Sequence, residues 1–306
     1  MEENKMSEVL KVDNVSKVYG KQKVLNDINI SIEEGEIIGL VGPNGAGKTT
    51  LMKIITGLIP KYKGNVFIKG NNIKAKKIHK TKQIGCVIET PGFYPDLTGY
   101  ENLLFFAEVS GLKDKKEIGE IIERLGIKNY VNKKVKKYSL GMKQRLGVAQ
   151  AVLAYPPILM LDEPTNGLDP SIVPELRKFI KYMAKEKNTS VLISSHILSE
   201  IEIMCDKVVF IQKGNILRIE NLNKKNDDFI VVAFKSSKVE ELKVFFNNKE
   251  MDYKVIGEDT LQICMKTDTQ LEDLTLEIGE NKIPLKGIYE VKESLEDKYL
   301  KTMGDN

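Results

Sequence analysis

The stretch Gly42-Pro43-Asn44-Gly45-Ala46-Gly47-Lys48-Thr49-Thr50 matches the pattern G-x-x-x-x-G-K-[ST] of phosphate-binding loops. An apolar run at 37–41 predicts a buried strand before it, and the run 51–55 predicts the first turns of a helix after it. The glycines allow backbone N–H groups and the positive end of the helix to face one anion. Lys48 is predicted to reach the β- and γ-phosphates of a nucleotide, and the Thr49 hydroxyl to bind Mg²⁺. A chance glycine turn is the alternative, but the flanking strand and helix favour a nucleotide site.

The length, charge and cysteine content limit the class of protein. A chain of 306 residues exceeds the usual single core, so one large and one smaller domain are expected. Its 47 basic residues nearly balance its 43 acidic ones, so charge gives no reason to expect a nucleic-acid partner. The three cysteines lack metal-binding or disulfide spacing, which fits a reducing compartment. The sequence shows no signal-peptide core and no apolar run of about 18 residues, so membrane association is expected only through a partner.

The segments on either side of the phosphate-binding stretch predict further strands. Alternating apolar and polar residues from Val9 to Ile32 predict a small antiparallel sheet, with Tyr19 in a loop between two strands. Tyr19 could stack on a nucleotide base or cover apolar surface, and the residue alone leaves both open. A buried-type strand at 84–88 ends at Glu89. Open α/β sheets bind ligands at the carboxyl ends of strands, so Glu89 is expected to face the nucleotide, with a solvated carboxylate as the alternative.

A region of helical periodicity, about 97–153, interrupts the strands and predicts an inserted helical subdomain. Its last helix begins at Tyr138-Ser139-Leu140-Gly141-Met142, where Ser139 is the predicted N-cap. Free backbone N–H groups, a serine hydroxyl and the positive helix end suit a second anion there. An ordinary cap would give the same pattern, so the helix start alone leaves both interpretations open.

Two further strands are predicted to bring acid and imidazole groups to the nucleotide. The apolar run 158–161 leads into Asp162 and Glu163, which could otherwise be two surface acids ending a strand. Asp162 is placed to hold Mg²⁺ through its water shell, and Glu163 to polarise a water for attack on the γ-phosphate. Asp169 is predicted to cap a helix, with the proline after it in the first helical position. His196 follows the next strand and is predicted to contact the γ-phosphate and the attacking water, although a lone histidine is more often structural.

Several separated motifs resemble those of the ATP-binding subunit of an ABC transporter, over about residues 9–222. They are the phosphate-binding stretch, Tyr-Ser-Leu-Gly-Met, Leu-Asp-Glu-Pro-Thr-Asn-Gly-Leu-Asp-Pro and Ser-Ser-His. The resemblance implies an α/β fold, a P-loop NTPase core with an antiparallel β subdomain and an inserted helical subdomain. It implies an ATPase that uses ATP and Mg²⁺ and acts as a head-to-tail homodimer, each ATP lying between the phosphate loop of one protomer and the serine-glycine helix start of the other.

The resemblance also assigns a role to each site residue. The residues that would contact ATP are Tyr19, Gly42, Pro43, Asn44, Gly45, Ala46, Gly47, Lys48, Thr49 and Thr50, with Ser139 and Gly141 from the other protomer. Those that would hold Mg²⁺ are Thr49, Glu89 and Asp162. Glu163 and His196 would be catalytic, and Asp169 would lie at the dimer interface.

Two positions depart from the family pattern. The element that usually reads Leu-Ser-Gly-Gly-Gln here has Tyr138, Leu140 and Met142, although the serine and second glycine remain. Glu89 stands where most of the family has glutamine. The glutamate keeps an oxygen for Mg²⁺ but lacks the amide N–H donors of glutamine. With a glutamate at this position, the chain resembles the bacterial exporters that give immunity to lantibiotics or resistance to bacitracin-like peptides.

That subgroup implies a separately encoded transmembrane permease, which would hold the chain at the cytoplasmic face of the cell membrane as a peripheral subunit. No nucleic acid is expected as a partner. The alternative is a soluble ABC-type ATPase acting on ribosomes or DNA. Such a protein would be expected to carry two motif sets or a long coiled-coil insertion, and this sequence has neither.

The domain organisation follows from where the motifs end. Residues 1–222 are predicted to form the ATP-binding domain, and 223–306 a small α+β accessory domain. Patterns in the second segment follow the order β-α-β-β-α-β, which suggests a ferredoxin-like module. No recognisable chemistry lies in it, so its role is left open.

Overall fold

The computed structural model describes residues 7–74, 83–112, 114–223, 230–265, 268–291 and 295–296. The chain divides into two compact units, with the boundary between Leu222 and Asn223. The strands of the first unit are β1 (Glu8–Tyr19), β2 (Gln22–Glu33), β3 (Ile37–Val41), β4 (Lys63–Ile68), β5 (Asn71–Asn72), β6 (Ile84–Val87), β7 (Ile158–Asp162), β8 (Ser190–Ser195), β9 (Lys207–Gln212) and β10 (Asn215–Asn221). Its helices are α1 (Lys48–Ile55), α2 (Gly99–Ser110), α3 (Lys116–Arg124), α4 (Leu140–Ala151), α5 (Val173–Lys187) and α6 (Leu198–Met204), with a 3₁₀ turn at Val135–Lys137.

A six-stranded sheet in the order β10-β9-β3-β8-β7-β6 forms the centre of the first unit. Neighbours from β9 to β6 pair in parallel, and β10 pairs with β9 in the antiparallel sense. β3, β7 and β8 are buried along their whole length, as apolar strands covered on both faces must be. The predicted α/β core is confirmed. Because the strands are parallel, the carboxyl ends of β3, β6, β7 and β8 lie at one edge, which carries the candidate site.

A four-stranded antiparallel sheet, in the order β2-β1-β4-β5, forms the second layer. It shares one apolar core with α1 and the central sheet, in which Leu10, Ile28, Leu51, Ile54 and Met160 are fully buried. The predicted antiparallel subdomain is therefore confirmed. It holds α1, and with α1 the end of the phosphate-binding stretch, between two sheets.

The region between β6 and β7 is helical, as predicted, and its first helix begins with a capping box. The Thr98 Oγ1 accepts from the Glu101 N–H at 3.1 Å, and the Thr98 N–H donates to the Glu101 carboxylate at 2.7 Å. α4 packs so closely on β6 that a Cβ atom on Gly85 would lie 1.8 Å from the backbone oxygen of Ala151. This contact fixes the helical region beside the strand that ends near Glu89.

A polar cluster joins α3 to α5. Glu120 on α3 accepts a hydrogen bond from the Tyr182 hydroxyl on α5 at 2.6 Å and pairs with Arg124 at 2.9 Å. The Arg124 guanidinium also lies 3.6 Å from the centre of the Tyr182 ring. A second link, between Arg145 of α4 and Glu175 of α5, spans 4.0 Å. The helical region is thus held to the core at two places away from β6.

One helix start differs from the prediction. Asp169 was expected to cap a helix with Pro170 in its first position, and this is wrong because α5 begins at Val173. The Asp169 carboxylate instead accepts from the Ser171 N–H at 2.9 Å and from the Ser171 hydroxyl at 2.7 Å, which closes a local turn. The helix then starts after this turn, with Pro174 in its first turn.

The second unit is an α+β module, as predicted. Its elements are β11 (Ile230–Ser236), α7 (Val239–Asn248), β12 (Tyr253–Val255), β13 (Thr260–Met265), α8 (Asp268–Glu280) and β14 (Leu285–Glu290). The sheet order is β12-β13-β11-β14, and every neighbouring pair is antiparallel. The first and third strands of the unit thus lie at its centre, the arrangement of a split β-α-β fold. Phe234 and Phe246 lie fully buried in its core.

Candidate functional site

The phosphate-binding stretch forms a tight loop between β3 and α1. The Ala46 N–H donates to the Pro43 carbonyl at 3.1 Å, and residues 43–45 form the exposed tip, while Thr50 lies in the first turn of α1. Gly47 has φ of 109°, and a Cβ atom there would lie 2.7 Å from Leu25 Cδ2. Only glycine suits this position, because the backbone is left-handed and β2 passes directly beside it.

Lys48 lies almost fully buried inside this loop. Its Nζ donates to the carbonyl oxygen of Gly42 at 2.7 Å and to that of Pro43 at 3.3 Å, and lies 3.6 Å from Glu163 Oε1. Its positive charge is therefore held by the loop at the end of β7. A cation fixed in this way is placed to bind the phosphates of a nucleotide.

Tyr19 lies at the hairpin between β1 and β2, on the same side as the loop. The Val24 carbonyl of β2 would lie 3.0 Å from a Cβ atom on Gly47, so this hairpin adjoins the phosphate-binding stretch. The Tyr19 side chain is 48% exposed, and the Lys17 Nζ lies 4.5 Å from the centre of its ring. The ring is thus partly exposed beside a lysine, and base stacking stays a prediction.

Thr49 and Asp162 present a pair of oxygen ligands at the edge of the sheet. The Thr49 hydroxyl donates to Asp162 Oδ2 at 2.7 Å, and the Ser194 hydroxyl donates to Asp162 Oδ1 at 2.6 Å. Hydroxyl and carboxylate oxygens are ligands that Mg²⁺ prefers, and Mg²⁺ at nucleotide sites needs only one or two protein ligands besides phosphates and waters. These residues therefore fit a Mg²⁺ ion.

Glu163 follows Asp162 in a left-handed backbone conformation, with φ of 47°. Its Oε2 lies 3.0 Å from His196 Nδ1 and also accepts a hydrogen bond from the Asn166 side chain. Burial raises the pKa of this carboxyl group, but the bonds from Asn166 and His196 outweigh it, with help from the Lys48 charge. The pKa of Glu163 is held below its usual value, so the group is ionised at neutral pH and can accept a proton.

Ser139 and Gly141 open α4 as predicted, with the Ser139 Oγ accepting from the Met142 N–H at 3.3 Å. The first turn of α4 rests on the segment that leads to Asp169. A Cβ atom on Gly167, where φ is 75°, would lie 2.6 Å from Leu140 Cδ2. Leu140, which replaces a glycine of the usual pattern, thus fills the space above Gly167.

Comparison with known proteins follows the same motifs. The model of the ABC transporter family matches residues 25–166. Bacitracin transport ATP-binding protein BcrA of Bacillus licheniformis is 39% identical, and the match covers 98% of each chain. Lantibiotic transport ATP-binding protein SrtF of Streptococcus pyogenes is 40% identical over 79% of this chain and 97% of its own. This chain is an ABC transporter ATP-binding subunit.

Solved structures agree with this assignment of the ABC subunit. The dimeric post-hydrolysis state of the ATP-binding cassette MJ0796, bound to ADP and Pi, has a TM-score of 0.64 and 27% identity. The match covers 71% of this chain and 100% of that cassette. The ABC subunit is accordingly an ATPase that binds and hydrolyses ATP, and the individual site residues remain predictions about where this happens.

Glu89 lies at the same cavity as the other acids of the ABC subunit. It follows β6 with φ of 60°, and its carboxylate lies 2.7 Å from Lys53 Nζ. The cavity has a volume of about 280 Å³ and is lined by Thr49, Glu89, Leu140, Gln144, Asp162, Glu163 and Asn166. The structure thus brings together the three residues predicted to hold Mg²⁺, but the Glu89 carboxylate is already paired with a lysine.

Sequence reasoning did not single out Ser194, Asn166 or Lys53. Ser194 was visible in the Ser-Ser-His motif, but only the pairing of Asp162 with Ser194 in the sheet brings its hydroxyl to the acid. Asn166 lies three residues after Glu163, within a motif that was read for its turn residues. Lys53 gave no signal, because its partner Glu89 is 36 residues away in the sequence.

We expect Ser194→Ala to lower the free energy of unfolding by about 2 kcal/mol, because a buried carboxylate oxygen of Asp162 loses its hydroxyl donor and the Glu163 N–H loses one of its two acceptors. ATP hydrolysis should also need more Mg²⁺, since Asp162 is then held by the Thr49 hydroxyl alone. Urea unfolding and a Mg²⁺ titration of ATPase activity measure the two effects.

Ser190→Ala is the matched control for this prediction. Ser190 is equally buried at the other end of β8, where its hydroxyl donates to the Glu33 carbonyl and accepts from the Gly35 N–H. It should lose similar stability without changing the Mg²⁺ requirement. An unchanged Mg²⁺ requirement in Ser194→Ala would contradict the role given to Ser194.

Proposed function

We propose that two copies of this chain close head to tail around two MgATP and drive a separately encoded permease that exports a membrane-active peptide of the bacitracin or lantibiotic class. The observation that carries the proposal is the match to the bacitracin transport protein BcrA, which covers 98% of both chains and so extends through the second unit. The relatives are named for transport, which favours this function over an ATPase acting on ribosomes or DNA.

The residues at the sheet edge have different roles in ATP hydrolysis. Lys48 and the loop N–H groups would hold the β- and γ-phosphates, while Thr49 and Asp162 would hold Mg²⁺. When bound, Mg²⁺ offsets the negative charge on the phosphates. Glu163 accepts the proton of the attacking water, and the contact of His196 with Glu163 Oε2 keeps that carboxylate oriented.

The dimer is needed because part of the ATP site would come from a second protomer. Ser139 and Asp169 are both exposed in the single chain, and the start of α4 offers a hydroxyl, free N–H groups and a positive helix end. These features suit the γ-phosphate of an ATP held by the other copy. The MJ0796 cassette bound to ADP and Pi is dimeric, which supports a dimer of this chain.

An exposed aromatic cluster, formed by Tyr94, Phe105 and Phe106, is the proposed contact for the permease. The Tyr94 and Phe105 rings meet edge to face at 5.0 Å, and both side chains remain at least 40% exposed. Exposed aromatic rings are enriched at protein interfaces. The cluster lies shortly after Glu89 in the chain, so the permease would touch the segment that borders the ATP cavity and hold the subunit at the cytoplasmic face of the membrane. In the parts of the chain that the structure describes, no helix is both long and apolar enough to cross a bilayer.

The test expresses the tagged chain together with the polytopic protein that co-purifies with it from solubilised membranes, in a bacterium sensitive to bacitracin and lantibiotics. We expect the pair to raise the inhibitory concentration of one of these peptides, and Glu163→Gln to remove the effect. Phe105→Asp should release the permease, while Ile203→Asp, at an exposed apolar position of α6 outside the cluster, should not. Association with ribosomes and unchanged peptide sensitivity would contradict the proposal.

A further inference from the structure

The candidate ATP cavity contains three carboxylates, and each has its own partner. Asp162 is bonded by two hydroxyl groups, and Glu163 lies 3.6 Å from the Lys48 ammonium. Glu89 is paired with Lys53 at 2.7 Å. Glu89 therefore brings a second lysine, Lys53, to the border of the cavity, and the charge of this lysine is directed at a carboxylate rather than at the phosphate-binding loop.

Lys53 is placed for this contact by the geometry of α1. It lies four residues after Thr49, so both side chains extend from the same face of the helix. That face is the one that borders the cavity, because Thr49 lines it. The Lys53 side chain is 28% exposed, whereas that of Glu89 is 64% exposed, so the lysine is the better-fixed member of the pair. The left-handed backbone at Glu89 directs the chain out of β6 at this point.

A carboxylate at the border of a triphosphate site is unfavourable unless its charge is compensated. Two negative charges about 5 Å apart repel each other by about 1 kcal/mol even in water, and by more in a partly enclosed cavity. An isolated surface ion pair would contribute little to stability. This pair, however, lies at the cavity that Thr49 and Asp162 line. Its net charge therefore affects the affinity for a charged ligand in that cavity.

We propose that Lys53 is the positioning residue of Glu89, holding its carboxylate at the cavity border and cancelling its charge toward bound nucleotide. The inference rests on the proposed placement of ATP and Mg²⁺ in this cavity. It assigns Lys53 a role in nucleotide affinity through Glu89, without contact between Lys53 and the phosphates.

The first experiment compares binding of ATP in EDTA with binding of ATP in Mg²⁺, by titration calorimetry on the purified chain. Lys53→Met should weaken metal-free ATP binding by about three- to tenfold, the effect of one uncompensated charge near a polyanion. MgATP binding should weaken less, because the metal already offsets phosphate charge. Lys128→Met is the matched control, since the Lys128–Glu123 pair is equally short, at 2.8 Å, and exposed in the helical region. It should change neither affinity.

The second experiment repeats the substitution in the Glu89→Gln background, where no charge remains to be compensated. In that background Lys53→Met should change metal-free ATP binding by less than about twofold. With Glu89 in place, Lys53→Arg keeps the positive charge and should retain the affinity of the unmodified chain. Lys53→Gln serves as a second test if the methionine variant does not fold. An equal loss in both backgrounds would show that Lys53 acts independently of Glu89 and would overturn the proposal. So would an effect no larger than that of Lys128→Met. Unchanged ATP binding in Lys48→Met would overturn the proposed nucleotide site. That result is distinguishable from failure of the proposal about Lys53 and Glu89.

Discussion

Glu163→Gln is expected to lower the ATP hydrolysis rate by about two to three orders of magnitude, because an amide cannot accept the proton of the attacking water. The side chain keeps its shape, so its contacts with Asn166 and His196 can persist. ATP binding should be retained, since the loop around Lys48 does not depend on this carboxylate for its structure. A phosphate-release assay and equilibrium ATP binding separate the two effects.

The same variant tests the dimer. With hydrolysis blocked, ATP-bound copies should accumulate as dimers, which light scattering at saturating MgATP would detect. Glu123→Gln makes the same chemical change on the exposed surface of α3 and should leave turnover and association unchanged. Turnover at the unmodified rate in Glu163→Gln would remove the assigned base. A variant that stays monomeric even with its permease present would contradict the head-to-tail arrangement.

Gly85→Ala is expected to lower the free energy of unfolding by about 3 kcal/mol. The added Cβ would lie 1.8 Å from the backbone oxygen of Ala151 and 2.9 Å from Pro156 Cγ, so β6 and the end of α4 must move apart. Backbone atoms cannot yield as a flexible side chain can. Because Glu89 follows β6, the displaced strand should also weaken MgATP binding.

Urea unfolding measures this loss, and Gly119→Ala provides the control. Gly119 is an exposed residue inside α3, and a Cβ atom there would meet no atom within 4 Å. Alanine should therefore stabilise that helix, by about 0.5–1 kcal/mol. Equal stability of Gly85→Ala and the unmodified chain would mean that α4 is free to move away from β6.

The parts of the fold that follow from local pattern could be predicted from the sequence. The buried strands, the capping box at Thr98 and the cap at Ser139 depend on residues within a few positions of one another. The phosphate-binding stretch is local as well, because its backbone turns and its lysine lie within nine residues. Parallel strands then bring Glu89, Glu163 and His196 to one edge, which needs only the general rule for such sheets.

The remaining features depend on which of two local turns is more stable, or on partners that are far apart in the sequence. The helix expected at Asp169 starts later because the aspartate bonds Ser171, and a capping pattern does not show which of two local turns is more stable. The bonds of Ser194 to Asp162 and of Lys53 to Glu89 depend on strand register and helix orientation, which the sequence pattern does not specify. Leu140 departs from the family pattern, and only the position of Gly167 shows the space that it fills.

The contact between Leu140 and Gly167 has a consequence for how two ATP molecules would be used. In the proposed dimer, Ser139 and Asp169 of one protomer both face the nucleotide of the other. Leu140, next to Ser139, packs against Gly167, two residues before Asp169, so a shift of one of these two site residues is passed to the other through this contact. Loss of a phosphate from one nucleotide would then displace both together, and the two halves of the dimer would exchange this signal through a few ångströms of side chain rather than through the central sheet.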